Sequence, residues 1–180
     1  MKYILFSVIT ISVLITGCAS GPVPKNATEY RDAIKKGGFG TNFENYVVER
    51  SYSKVAETLK KNANACLNKK VEKTKCPPGT LTCEKHTAYY TPTIKSSKQK
   101  TELHVQWRRD HWGDKIALGE TPPDGLYITV VDVMPAGKGK TEVNLYGPSL
   151  EHLQTVPKAI KHWVDGSNLG CPNLGKPYYY

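Results

Sequence analysis

Past residue 15 the chain has no apolar run long enough to cross a bilayer as a helix, which takes about 20 residues. A helical membrane domain is excluded beyond that point. Acidic residues are few: 16 Asp and Glu stand against 25 Lys and Arg, for a formal net charge of +9. Common catalytic signatures are missing too. No Gly-x-Ser-x-Gly segment offers a strained nucleophilic serine, and no two of the five histidines stand four apart as helical metal ligands do. No two cysteines have the two or four intervening residues that zinc sites use. Gly139-Lys140-Thr141 ends like a phosphate loop, yet it lacks the upstream glycine, so a hairpin turn is the better reading. There is no internal repeat.

What is present begins with Lys2 and the apolar stretch from Tyr3 to Ile15, interrupted only by Ser7, Thr10 and Ser12. A basic head, an apolar middle and a small-residue exit make a secretory signal peptide. The exit Ile15-Thr16-Gly17-Cys18 resembles the lipobox of bacterial lipoproteins. That resemblance implies cleavage before Cys18, diacylation of its sulfur and acylation of the new amino group. Each buried acyl methylene contributes about 0.8 kcal/mol, so three chains would hold permanently where one holds reversibly. In that family an Asp after the cysteine retains the product in the inner membrane. Ala19 stands there instead, which implies the outer membrane, with the body facing the periplasm. The expected organisation is a signal peptide over 1–17, a lipidated tether with a short helix over 18–42, and one domain over 43–180.

Removal of the signal leaves roughly 160 residues, enough for one domain with a real core. Abundant Tyr, Thr, Val and Ile favour a sheet. With Cys18 given to lipid, Cys66, Cys76, Cys83 and Cys171 remain, an even number for an oxidising compartment. Four cysteines allow three pairings. The turn Pro77-Pro78-Gly79 favours Cys76 with Cys83, and hence Cys66 with Cys171. In the chain-entropy model the short loop contributes about 2 to 3 kcal/mol and the long one nearly 5.

Along the chain, Ala19 to Lys25 reads as an extended tether. Asn26 and Glu29 form a capping box for a helix from Ala27 to Lys36, and Phe43 to Arg50 reads as a strand. Ser51 or Ser53 caps a helix in which Tyr52, Val55, Leu59, Ala63 and Cys66 share a face. Lys69 to Lys75 reads as a basic connection. The period then becomes two: a strand with Tyr89, Tyr90 and Ile94, and another in which Leu103, Val105 and Trp107 alternate with Glu102, His104 and Gln106. Lys115 to Leu118 is a short strand, Thr121 to Gly125 a turn, and Leu126 to Met134 the most apolar and so central strand. A further strand runs from Thr141 to Tyr146. A closing helical segment carries Leu150, Leu153, Val156, Ile160, Trp163 and Val164, with Pro157 restarting it after Thr155 and Gly166 stopping it.

These elements predict an α+β fold, an antiparallel β-sheet meander covered by a long C-terminal helix and an N-terminal helix, with one face of the sheet to cover. In element order, from Phe43 to Gly166, the chain resembles helix-grip domains of the BamC-like and START-like kinds. The resemblance implies a fold and transfers no functional residue.

For function, the basic excess carries most weight. Lys60, Lys61, Lys69, Lys70, Lys73 and Lys75, with Lys85 nearby, form a candidate anion-binding patch suited to anionic lipid, lipopolysaccharide phosphates or an acidic envelope protein. Arg108 and Arg109 beside Trp107 and Trp112 are candidates for an anion or sugar contact. Nucleic acid does not belong in the compartment. No metal and no cofactor is expected, and the histidines read as solvated or locally hydrogen-bonded. The expected function is a non-enzymatic binding or envelope-assembly module, anchored to the outer membrane. Two alternatives stand beside it: a carrier or sensor of a small amphiphile held under the last helix, and a hydrolase using Asp110, Asp114, Glu120 and Asp124.

Overall fold

The computed structural model describes residues 22–37, 40–76, 83–110, 115–116, 119–167 and 170–175. The signal peptide, Cys18 and Ala19, the Pro77-Pro78-Gly79 turn, His111, Trp112, Asp114 and the terminal tyrosines lie outside them. In chain order the elements are α1 (Ala27–Lys35), β1 (Thr41–Val48), α2 (Tyr52–Cys66), β2 (Lys69–Lys75), β3 (Glu84–Ser96), β4 (Thr101–Arg109), β5 (Lys115–Ile116), β6 (Gly119–Glu120), β7 (Leu126–Pro135), β8 (Thr141–Pro148) and α3 (Thr155–Asp165). Six strands form one antiparallel sheet in the order β1-β8-β7-β4-β3-β2, and β5 pairs with β6. The fold is α+β, an antiparallel sheet covered by helices.

Alternation along the central strands decides what each face holds. Leu103, Val105 and Trp107 of β4, Val131 and Val133 of β7, and Val143 and Leu145 of β8 form one buried layer. Against it pack Val55, Leu59, Ala63 and Cys66 of α2, and Val156, Ile160, Trp163 and Val164 of α3. These helical residues recur every three or four positions, so each helix turns one stripe to the sheet.

The sequence reading is corrected in three places. Lys69 to Lys75 is no connection but edge strand β2, paired along its whole length with Glu84–Tyr90 of β3. Its alternating side chains are mostly lysines, which hides a strand from hydropathy but suits a solvated edge. The strands β3, β4, β7 and β8 form the expected meander, and β1 is not outside the sheet but lies at its far edge beside β8, with Thr41 opposite Pro148 and Val48 opposite Thr141. Nor has the sheet only one face to cover. Tyr30 and Ile34 of α1 bury against Val130 and Tyr146 on the face opposite α2 and α3. The C-terminal helix, at 11 residues, is also shorter than α2 at 15.

Local chemistry fixes the helix ends. Asn26 Oδ1 accepts from Glu29 N–H at 2.9 Å, and Glu29 Oε2 accepts from Lys25 N–H at 2.8 Å, which completes the cap of α1. A 3-10 turn over Glu151–Leu153 precedes α3, and Pro157 falls in its first turn, where a missing N–H is tolerated. Gly166 ends α3 in the left-handed region at φ 86°. The Arg50 guanidinium caps that end, donating to the carbonyls of Trp163 at 2.8 Å and Val164 at 2.6 Å.

Two disulfides are present, Cys66–Cys171 and Cys76–Cys83. The second stands just beyond the last pair of the β2–β3 hairpin. The first joins the end of α2 to the segment after α3, where Leu174 is buried and Trp163 Nε1 donates to the Gly170 carbonyl at 3.2 Å. Because the sequence separations are 105 and 7 residues, loop entropy makes the two bonds unequal. Replacing both Cys66 and Cys171 by serine should cost about 2 kcal/mol more in denaturant unfolding than replacing Cys76 and Cys83. Equal losses would refute that ordering.

Candidate functional site

Three places concentrate polar or exposed chemistry: an ionic cluster beneath α1, a basic arm at the β2 edge, and a groove along the β1 edge. The ionic cluster follows from the polar face of β4. Glu102 and His104 share that face with Asp132 of β7, and α1 lowers Arg31 onto them. One Arg31 Nη2 lies 2.9 Å from Glu102 Oε2 and 2.6 Å from Asp132 Oδ1. Lys100 Nζ lies 2.8 Å from Glu102 Oε1 and 3.3 Å from Asp132 Oδ2. His104 Nε2 lies 3.0 Å from Glu102 Oε2, and since a carboxylate only accepts, that nitrogen carries the proton.

Burial pushes the Glu102 carboxyl up, but hydrogen bonds from Lys100, Arg31 and His104 outweigh it and hold the group at about 2. Burial pushes the His104 imidazolium down, against the hydrogen bond it donates to Glu102, so the ring is neutral at pH 7. Every member of the cluster has a partner, and the side chains are largely enclosed. The cluster is therefore a structural clasp for α1 rather than a site open to substrate.

The basic arm is built on cross-strand neighbours. Lys70 of β2 opposes Tyr89 of β3, which opposes Arg108 of β4, so the three form one row on one face of the sheet. The Arg108 guanidinium carbon sits 5.0 Å from the centre of the Tyr89 ring, a cation–π contact that fixes it. The Tyr89 hydroxyl donates to Asp110 at 3.3 Å. Glu72 receives Lys70 at 2.6 Å and Lys85 at 2.8 Å, and these hydrogen bonds pull its carboxyl down to about 2. Lys69, Lys70, Lys85 and Arg108 are exposed. Of the remaining patch residues, Lys60 and Lys61 are exposed on α2, while Lys73 and Lys75 have their backbone on β2 and their side chains outside the description. The structure thus places Lys69, Lys70, Lys73 and Lys75 on one edge strand, and sets Lys70 in a row with Arg108. It leaves the α2 lysines on a separate element.

The groove, of about 540 Å³, runs along β1 beside Lys161 and Asp165 of α3. Lys161 Nζ pairs with Glu44 Oε2. The buried Tyr46 hydroxyl has no hydrogen-bond partner among the described residues. Burial, reinforced by Asp165 and Glu44, raises its pKa well above the ordinary phenol value, so it stays a neutral donor. Sequence reading missed this groove, because Phe43 to Arg50 looked like any half-buried strand.

The other candidate residues are not brought together. His86 lies 3.4 Å from Arg109, and His162 lies 3.1 Å from Ser167 Oγ. Asp110 accepts from Tyr89, Asp124 is exposed in a turn, Glu120 is described only by its backbone on β6, and Asp114 lies outside the described residues. Among the described residues no three His, Cys, Asp or Glu side chains are grouped so as to hold a metal ion. Nor does any described helix have the length and apolarity to cross a membrane. No protein-family model matches this sequence, and no curated protein matches it.

Arg31 is the testable centre of the clasp. Its replacement by Ala leaves Asp132 with Lys100 alone and Glu102 with Lys100 and His104, and should cost about 2 to 3 kcal/mol, below the full loss of a buried pair. The sign of the pH dependence follows from the two shifts. Glu102 and His104 both have lower pKa values folded than unfolded, so the stability they contribute is lost as pH falls. His104 begins to lose its share below about 6.5, and Glu102 loses its share from about 4.5 down toward 2. Chemical denaturation between pH 7 and 3 should show a steeper acid loss in the unaltered protein than in Glu102→Gln; parallel curves would refute the assignment.

Proposed function

We propose that this protein is a non-enzymatic binding module of the bacterial envelope, anchored through lipid on Cys18 to the outer membrane and facing the periplasm. Its working surface is the basic arm, which engages phosphate-bearing groups of lipid or lipopolysaccharide. The observation that carries this reading is the row Lys70, Tyr89 and Arg108. A fixed guanidinium and an ammonium share one exposed face, across three neighbouring strands of the sheet. Cations held in place by the strands lose less freedom on meeting an anion than lysines on a loose connection would.

Support for the anchor comes from the sequence alone, in the lipobox-like Ile15-Thr16-Gly17-Cys18. The amphiphile-carrier alternative loses ground to packing. Val55, Leu59, Leu103, Val105, Val131, Val143, Val156 and Ile160, which line the space between the sheet and its two helices, have no exposed surface. A chamber roomy enough for an acyl chain would leave some of that lining accessible.

Two measurements test the reading. Labelled palmitate should appear on the protein and vanish in Cys18→Ser, which should also leave the membrane fraction. Unchanged fractionation refutes the anchor. For the arm, the triple variant Lys69→Glu, Lys70→Glu, Arg108→Glu should bind lipopolysaccharide and phosphatidylglycerol vesicles at least tenfold more weakly, in a salt-dependent way. Equal binding by the variant refutes the arm; loss on only one of the two surfaces identifies which phosphate it reads.

A further inference from the structure

We propose that β1 is a self-association edge on which two copies of this chain join their sheets around a two-fold axis through Asn45. The two edges of the sheet are built differently. β2 carries lysines, which deter pairing with another strand, whereas β1, Thr-Asn-Phe-Glu-Asn-Tyr-Val-Val, has none. Phe43 and Val47, 41% and 53% exposed, are the large apolar side chains this protein leaves uncovered among its described residues.

Backbone parity says which groups are free to pair. Ser149 N–H donates to the Gly40 carbonyl at 2.9 Å, and the β1–β8 register runs on without a slip from Thr41 to Val48. Bonded and unbonded pairs alternate along an antiparallel ladder. The even-numbered residues of β1 therefore spend their N–H and C=O groups on β8. Phe43, Asn45 and Val47 turn theirs to the outer edge, and these include both exposed apolar residues.

Phe43 and Val47 stand symmetrically about Asn45. An antiparallel partner copy centred there sets Phe43 opposite the partner's Val47, Asn45 opposite the partner's Asn45, and Val47 opposite the partner's Phe43. All three pairs fall at bonding positions, so the Phe43–Val47 contact forms twice, once on each side of the axis, and no register shift is needed. On the other face the same register sets Glu44 opposite the partner's Tyr46. A strand without this symmetry gains no such match from a copy of itself.

The helices leave room. α3 rests on β8, with Pro157 against Gly147. From β8 through β1 and the partner's β1 to the partner's β8 are three strand spacings, so the two α3 helices stand about 14 Å apart. That exceeds the 8 to 10 Å of packed helices by about one layer of side chains. On the opposite face Lys35, at the end of α1, lies 5.9 Å from the Phe43 ring. The two-fold axis thus sends the two α1 helices to opposite ends of the paired strands.

The experiment is cysteine crosslinking of the full chain in its own membrane, read by non-reducing electrophoresis and mass spectrometry. Asn45→Cys places two thiols on Cα atoms about 5.5 Å apart, within disulfide range, and should give a reducible species of twice the mass. Val47→Cys places them about 13 Å apart and should give none. Adding Val47→Lys to Asn45→Cys, at an exposed position that folding does not need, should cut the crosslinked fraction at least tenfold. A Val47→Cys dimer exceeding the Asn45→Cys dimer overturns the Asn45-centred register. An Asn45→Cys adduct with a different protein overturns the choice of a second copy. Monomer alone from every variant, with circular dichroism unchanged, overturns the proposal.

Discussion

The clasp between Arg31 and the carboxylates of Glu102 and Asp132 is the constraint that makes this sheet a middle layer rather than a floor. β4 alternates Leu103, Val105 and Trp107 with Glu102, His104 and Gln106, a pattern that ordinarily leaves the second set in water. Here that polar face lies under α1, and the burial is tolerable only because each charged group meets an opposite one. Asp132 is the most enclosed of them, and it takes both Arg31 and Lys100. Replacing such a cluster by packed apolar residues can be neutral or better for stability. What the cluster adds is position: Arg31 reaches both Glu102 and Asp132 only from one placement of α1 on the sheet, where it packs against β7, β8 and β1.

Much of the fold was legible because its signals were local. The capping pair Asn26 and Glu29, the apolar stripe of α2, the stop at Gly166 and the apolar run of β7 each need only a few neighbouring residues to act. Both disulfides follow from counting and one turn. β2 was illegible for a physical reason. An edge strand owes its existence to a partner ladder and needs no apolar face, so Lys69 to Lys75 carries the composition of a loop. The second covered face was illegible for another reason: His104 and Asp132 are buried by pairing, and pairing between residues 31, 102 and 132 leaves no mark on local pattern.

The functional residues divide the same way. The lysines of the basic patch were visible as a cluster in sequence. Their arrangement was not, since Lys70, Tyr89 and Arg108 become neighbours only through two strand registers. Lys60 and Lys61, close in sequence to the others, belong to the outer side of α2. Sequence proximity therefore grouped lysines from two elements, and it named Arg108 as an anion contact without joining it to them. The β1 groove left no sequence signal, because Phe43 and Val47 look like core residues until β8 and α1 are seen to cover only part of them.

Anchoring would change what a weak edge can do. From Cys18 to the start of α1 is a span of fewer than ten residues, which even fully extended reaches only about 30 Å. A body held that near a surface meets its own copies at an effective concentration far above that of the free chain, and modest contacts become populated without any new interaction. The same tether would keep the basic arm within reach of headgroups, but not within their field at every orientation, since charge is screened beyond about 8 to 10 Å. The two edges then have complementary demands. A lysine-rich edge left solvated stays available to anions, and an edge lacking lysine is covered at little electrostatic cost. In a chain with a formal charge of +9, the edge strand proposed to pair with its own copy carries no lysine or arginine of its own, and the nearby Lys161 is paired with Glu44.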